Sequence, residues 1–181
     1  MKLIPDSSFF ICFLDDLEDY LPVADRIRIL IAIAGTYAVM IVPEVERESR
    51  LQRLTTGVSD KVYRITIAEV PTDPSFELLR PLLGRGEHEV ITFAHGCLLN
   101  GDGTFLFILD DGVARNLVQR ILPALVTHMK GTVGFLGLCA IRKILEKNDT
   151  INLLTIIGRS KFRVDRSTIS TVIAEIESRC P

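Results

Sequence analysis

Five acidic residues stand where carboxylate chemistry would need them. Asp6 follows the opening apolar segment Lys2-Leu3-Ile4-Pro5, and Glu48 lies a little over one helical turn beyond Pro43. Glu87 follows Gly86 at the head of a helical pattern, and Asp110 and Asp111 close the apolar run from Phe105 to Leu109. Gathered in one pocket, such groups repel: two unit charges about 4 Å apart cost about 4 kcal/mol even at an effective dielectric near 20. The pocket must then hold protons or a cation. Ligands that are all oxygen select a hard ion, Mg²⁺ or Mn²⁺. A divalent ion held this way binds phosphate, activates water and stabilises a leaving oxygen, which is the chemistry of phosphodiester hydrolysis. Each residue also has an ordinary reading. Asp6 is a good helix N-cap, Glu87 a first-turn acid favoured by the helix dipole, Glu48 a solvated helix face, and Asp110-Asp111-Gly112 a turn.

The elements that would bring these acids together alternate between strand and helix. Lys2 to Pro5 reads as a buried strand, Asp6-Ser7-Ser8 as a cap, and Phe9 to Leu14 as an apolar helix. Helical spacing runs from Asp19 to Ala34, with Gly35 as its stop. Ala38 to Val42 is a β-branched strand, and Pro43 opens a helix to about Thr55. Val62 to Val70 reads as an edge strand and Phe76 to Leu83 as a short helix; a longer helix opens at Gly86. Asn100-Gly101-Asp102-Gly103 is a turn, Thr104 to Leu109 a strand, and Val113 to Leu122 a helix. Ala124 to Thr127 reads as a short strand and Gly131 to Leu145 as a helix; two further helices flank the 158–163 segment, with Asp165 or Ser167 as a cap. The pattern predicts an α/β fold: a three-layer α/β/α sandwich around a central, mainly parallel sheet. In such a sheet Asp6 and Asp110/Asp111 emerge at one edge, the carboxyl ends of the strands, where ligands bind. We expect one domain, residues 1–147, with 148–181 as a helical C-terminal extension of it.

Composition sets limits on this reading. The 181 residues are 48% hydrophobic with a net charge of -2, which argues for a packed core rather than disorder. A mildly acidic chain is not an obvious nucleic-acid binder, so bases must lie beside the acids if it is one. Arg159, Lys161, Arg163 and Arg166 form a basic cluster that suits either a phosphate backbone or a solvated loop, and Phe162 among them suits either a core anchor or a base stack. Cys12, Cys97, Cys139 and Cys180 lack zinc spacing; the first three read as small core residues. The longest apolar run, Ile29 to Val42, is shorter than the roughly 18 to 20 residues that span a bilayer, and Asp6, Asp15 and Asp16 interrupt any leader-like stretch. A cytoplasmic location is expected, with no membrane contact.

Five segments taken in order resemble the PIN-domain family. They are Asp6-Ser7-Ser8 after the first strand, Ile41-Val42-Pro43-Glu44-Val45-Glu46-Arg47-Glu48, and Arg85-Gly86-Glu87-His88-Glu89 with the helix it begins. The others are Leu109-Asp110-Asp111-Gly112-Val113-Ala114-Arg115 and Lys130-Gly131-Thr132-Val133-Gly134. The last two helices are similar to those of a branch related to VapC-like toxin ribonucleases, often bacterial or archaeal, with a D-D-x-x-A-R motif. The resemblance implies a ribonuclease using Mg²⁺ or Mn²⁺. Asp6, Glu87, Asp110 and Asp111 would hold the metal, and Glu48 would orient or deprotonate the attacking water. Helical spacing leaves open whether Glu87 or Glu89 faces the site. Ser8 is placed to orient an acid, and Arg115 to pair with a site carboxylate or a phosphate. Single-stranded RNA, an inhibitory protein partner and a homodimer are implied in the same way. Two rivals remain: a non-catalytic binding protein on the same fold, and a response-regulator-like switch, for which Lys130 is the sole late-strand base.

Overall fold

The computed structural model describes residues 1–49, 51, 62–66, 80–102 and 104–180. Five short strands make one sheet in the order β3-β2-β1-β4-β5: β1 Lys2–Ile4, β2 Ala38–Ile41, β3 Val62–Arg64, β4 Phe105–Ile108 and β5 Met129–Lys130. Every pairing is parallel; Leu3 lies opposite Val39 on one side and Leu106 on the other. Parallel strands need crossovers, and these are supplied by helices that cover the sheet. All four residues of β4 are buried, as expected of a strand covered on both faces.

The described α-helices, numbered in chain order, are α1 Ser7–Ile11, α2 Val23–Thr36, α3 Pro43–Glu48, α4 Arg85–Leu99, α5 Gly112–Ile121, α6 Thr132–Ile141, α7 Lys147–Ile157 and α8 Arg166–Arg179. The last three pack on one another, and Val172 and Ile176 of α8 join the same core as Phe135 and Leu136 of α6. Residues 148–180 are thus fastened to the sheet domain through buried apolar contact.

Several boundaries differ from the expected ones for local reasons. α1 does not run on regularly to Leu14; Cys12–Asp16 form a π-helical turn, closed by the Leu17 N–H donating to the Cys12 carbonyl at 3.1 Å. The Arg26 guanidinium donates through Nη1 to the carbonyls of Phe13 and Leu14, at 2.8 and 2.7 Å. α2 starts at Val23 rather than Asp19, because Pro22 disfavours the helical conformation at Leu21. The strand expected at Ala124 to Thr127 is instead a 3₁₀ helix, Pro123–His128, and the strand follows it at Met129. Pro123 sets the helical φ at its first position and offers no N–H to a ladder. α6 ends at Ile141, with Lys143 in the left-handed region at φ 59°. α3 ends at Glu48, and its expected continuation through 52–55 lies outside the described residues. β3 ends at Arg64; positions 67–70 of that expected strand, and 76–79 of the expected short helix, likewise lie outside them. A 3₁₀ turn occupies Arg80–Leu82. Cys12, Cys97 and Cys139 are buried and unpaired, as their apolar context suggests.

Candidate functional site

β1 and β4 are neighbours at the centre of the sheet, and the chain leaves them in opposite directions, towards β2 and towards β5. The crevice beyond the carboxyl ends at such a reversal is where open α/β sheets place ligands. Asp6 ends β1 there. It is 1% exposed. One carboxylate oxygen caps α1 by accepting from the Phe9 N–H at 3.0 Å, and the other accepts from the Asp110 N–H at 2.9 Å. A single side chain therefore ties the ends of two adjacent strands that lie 104 residues apart in sequence. The Asp110 carboxylate accepts from the Thr132 N–H at 2.9 Å and from the Thr132 hydroxyl at 2.6 Å. Asp111 caps α5 by accepting from the Ala114 N–H at 2.7 Å, and it stays exposed.

Glu87 and Glu48 join this group from the other side. Each lies against a glycine that leaves it room. A Cβ at Gly84 would stand 2.1 Å from Glu87 Oε2, and one at Gly86 would stand 2.6 Å from Glu48 Oε2. Glu87 is half-buried, whereas Glu89 turns away and accepts from the Glu44 N–H at 2.8 Å, capping the short α3. The choice between them is thereby made: Glu87 lines the cleft.

The electrostatics bind these acids into one system. Burial, and then the charge of Asp110, hold the Asp6 carboxyl well above the ordinary range, against the pull of its two N–H donors; Glu87 adds to the rise. Burial raises Glu87 too, with Glu48 and Asp111 adding to the effect. Burial raises Asp110, although Thr132 and Arg115 act against it. Arg115 donates to the Leu109 carbonyl at 3.1 Å, so it influences the acid by charge while bonding the backbone.

Beyond these groups opens a cleft of about 480 Å³. Glu87, Asp110 and Asp111 line one part of it, with Ser8 and Asp16; Lys161, Phe162 and Arg163 line another. Bases do lie beside the acids, which removes the objection raised by the net charge. Asp6 lies beneath the cleft, out of solvent, and Glu48 lies behind Glu87 rather than on the lining. Among the described residues, no three Asp, Glu, His or Cys side chains stand close enough to enclose one ion. The donor set suits a hard divalent cation in its chemistry, since every ligand is a carboxylate and an oxygen accepting one hydrogen bond keeps a second lone pair. Closing a coordination shell requires side-chain rotation at the cleft.

Sequence reasoning missed two residues here. Thr132 anchors Asp110, and the signal for it is the Gly-Thr step directly after β5. Asp16 reaches the cleft through the π turn, and burial and Asp15 raise its carboxyl. Ser8 lines the cleft, but no hydrogen bond joins its hydroxyl to an acid among the described residues. His128 is structural: its ring lies flat on Phe105 at 4.3 Å, and Nδ1 stands 3.0 Å from the Phe105 carbonyl.

Residues 20–178 match a family model described as PIN domain. Glu48, Glu87, Asp110 and Asp111 fall within the matched span; Asp6 precedes it. No curated protein and no solved structure matches the chain. No helix among the described residues is long and apolar enough to cross a membrane.

Proposed function

The chain belongs to the PIN-domain family, whose members are generally nucleases, and from that premise we propose that it is a metal-dependent ribonuclease, of toxin-like type, hydrolysing RNA phosphodiester bonds at the carboxylate cleft. The observation that carries this reading is the convergence of Glu87, Asp110 and Asp111 on one cleft at the ends of β1 and β4, with Asp6 bonded to Asp110 beneath it. Mutual repulsion among acids gathered at one cleft is relieved by a cation. Asp6, Glu87, Asp110 and Asp111 would hold Mg²⁺ or Mn²⁺, which when bound supplies charge to a phosphoryl oxygen and lowers the pKa of a water.

This chain's own residues would act as follows. Asp6 fixes the distance between the strand ends and so the placement of Asp110. Thr132 holds the Asp110 carboxylate in one orientation, as an outer-shell partner does. Glu87 and Asp111 present oxygens to the open cleft. Glu48 would orient or deprotonate the attacking water after rotating past Glu87; in its present position it acts by raising the proton affinity of Glu87. A cytoplasmic setting, an inhibitory protein partner and self-association belong to the same proposal.

The test is cleavage of single-stranded RNA across a Mn²⁺ titration, comparing wild type with Asp111→Asn and Asp6→Asn. Asp111→Asn keeps a good N-cap, so it should stay folded while its cleavage rate falls by about a hundredfold or more. One observation favours a second reading, a non-catalytic RNA- or protein-binding regulator: the acids are not assembled around a single point. Wild type as inert as both variants at saturating Mn²⁺ would establish that reading and end the first.

A further inference from the structure

The segment between α7 and α8 carries Arg159, Ser160, Lys161, Phe162 and Arg163. It is held in a defined shape. The Tyr20 hydroxyl donates to the Arg159 carbonyl at 2.7 Å, reaching across 139 residues of sequence. The Ser160 hydroxyl donates to the Ile157 carbonyl at 2.9 Å and accepts from the Phe162 N–H at 3.1 Å. Phe162 is partly buried, packed against the core on one side while lining the acidic cleft. Lys161 and Arg163 are exposed on either side of it. Lys161 pairs with Asp19 at 3.3 Å, with both side chains about two-thirds exposed, and such a pair costs little to break. Arg163 has no ion-pair partner among the described residues.

An aromatic ring flanked by two cations, on a preformed loop facing the carboxylates, has the composition of a single-strand platform. A ring face accepts any unstacked base, while cations take the phosphates on either side of it. A duplex keeps its bases stacked inside and can use only the cations. The loop also answers a charge problem, because Asp16, Glu87, Asp110 and Asp111 on the same cleft repel a polyanion. Two cations beside them give the strand a place to be held next to those acids. The ordering of the loop by Tyr20 and Ser160 lowers the entropy lost on binding.

We propose that the 159–163 loop is the substrate-positioning element of the cleft: Phe162 stacks on an unpaired nucleobase, and Lys161 and Arg163 hold the adjoining phosphates of single-stranded RNA. This rests on the ribonuclease reading for the chemistry but makes its own prediction about binding. The test measures fluorescence anisotropy of a short single-stranded RNA of mixed sequence, with the matching duplex in parallel, in Ca²⁺ and over a range of salt. The proteins are full-length wild type, the double variant Lys161→Ala/Arg163→Ala, Phe162→Leu and Phe162→Tyr. The double variant should bind about tenfold more weakly, and its salt slope should fall by about 1.4, from two lost single-strand phosphate contacts. Phe162→Leu keeps an apolar anchor but loses the ring; it should lose about tenfold with an unchanged slope, and Phe162→Tyr should restore affinity. Duplex binding should ignore the ring.

The assignment is overturned if wild type does not bind the RNA, if the double variant matches wild type in affinity and slope, if Phe162→Leu equals Phe162→Tyr, or if the duplex suffers equally from losing the ring. RNA bound through the loop yet never cut in Mn²⁺ would sink the nuclease reading and leave the loop standing. RNA cut with the same KM by every loop variant would do the reverse.

Discussion

Asp6 and Asp111 perform the same local task in different surroundings. Both end a strand segment at the centre of the sheet, and both cap the helix that follows with one carboxylate oxygen. Asp6 is sealed and uses its second oxygen to bind the backbone of the neighbouring strand end. Asp111 is exposed, bonds a single N–H and lines the open cleft. Identical chemistry therefore divides by burial: one carboxylate builds the floor of the cleft, and the other stands open to solvent. A residue type at a strand end does not by itself say which of these it will be.

The largest effect should come from breaking the floor. Asp6→Ala leaves two buried N–H groups without acceptors and should cost about 2 to 4 kcal/mol of unfolding free energy, while Asp111→Asn should cost under about 1 kcal/mol. Urea denaturation of both proteins without metal would check the contrast, and equal losses would erase it. Thr132→Val comes next. It keeps shape and the backbone donor but removes the 2.6 Å bond to Asp110, for about 1 to 2 kcal/mol at a fully buried position.

A pH series sharpens the same distinction. Asp6, Glu87 and Asp110 bind protons more tightly folded than unfolded, where carboxyls titrate near 4. The native state then holds protons that the unfolded chain has lost, so stability falls as pH rises from about 5 to about 8. The melting temperature of the metal-free protein should decline over that range, and Mn²⁺ should flatten the decline. A flat metal-free profile would show that the floor carries no strained charge. Smallest of all, Lys161→Ala should leave the melting temperature unchanged, because its ion pair with Asp19 is exposed on both sides.

Much of this arrangement could be read in the residues. The alternation of apolar strands with capped helices carries the parallel sheet, and the acids directly after β1 and β4 carry the crevice. The choice of Glu87 over Glu89 could not be read. Two residues apart on a helix point to nearly opposite faces, and which face meets the cleft depends on how α4 is rotated against α3. Pro123 favours a helical start, but its fixed φ does not say how far a 3₁₀ turn would run before the strand at Met129. Asp16 was hidden for a geometric reason: a regular 3.6-residue count is void inside a wider turn.

That wider turn has a consequence for insertions and deletions. From Cys12 to Leu17 the chain contains one residue more than a regular helical path would use. Excising one residue inside the turn would bring Leu17 to the i+4 position over the Cys12 carbonyl, so the segment after it would keep its direction, whereas adding one would swing that segment by about 100° around the axis. After such an insertion Leu17, now fully enclosed, would face water, and Tyr20 would lose its grip on the distant loop. A one-residue deletion inside the turn should therefore disturb the cleft less than a one-residue insertion.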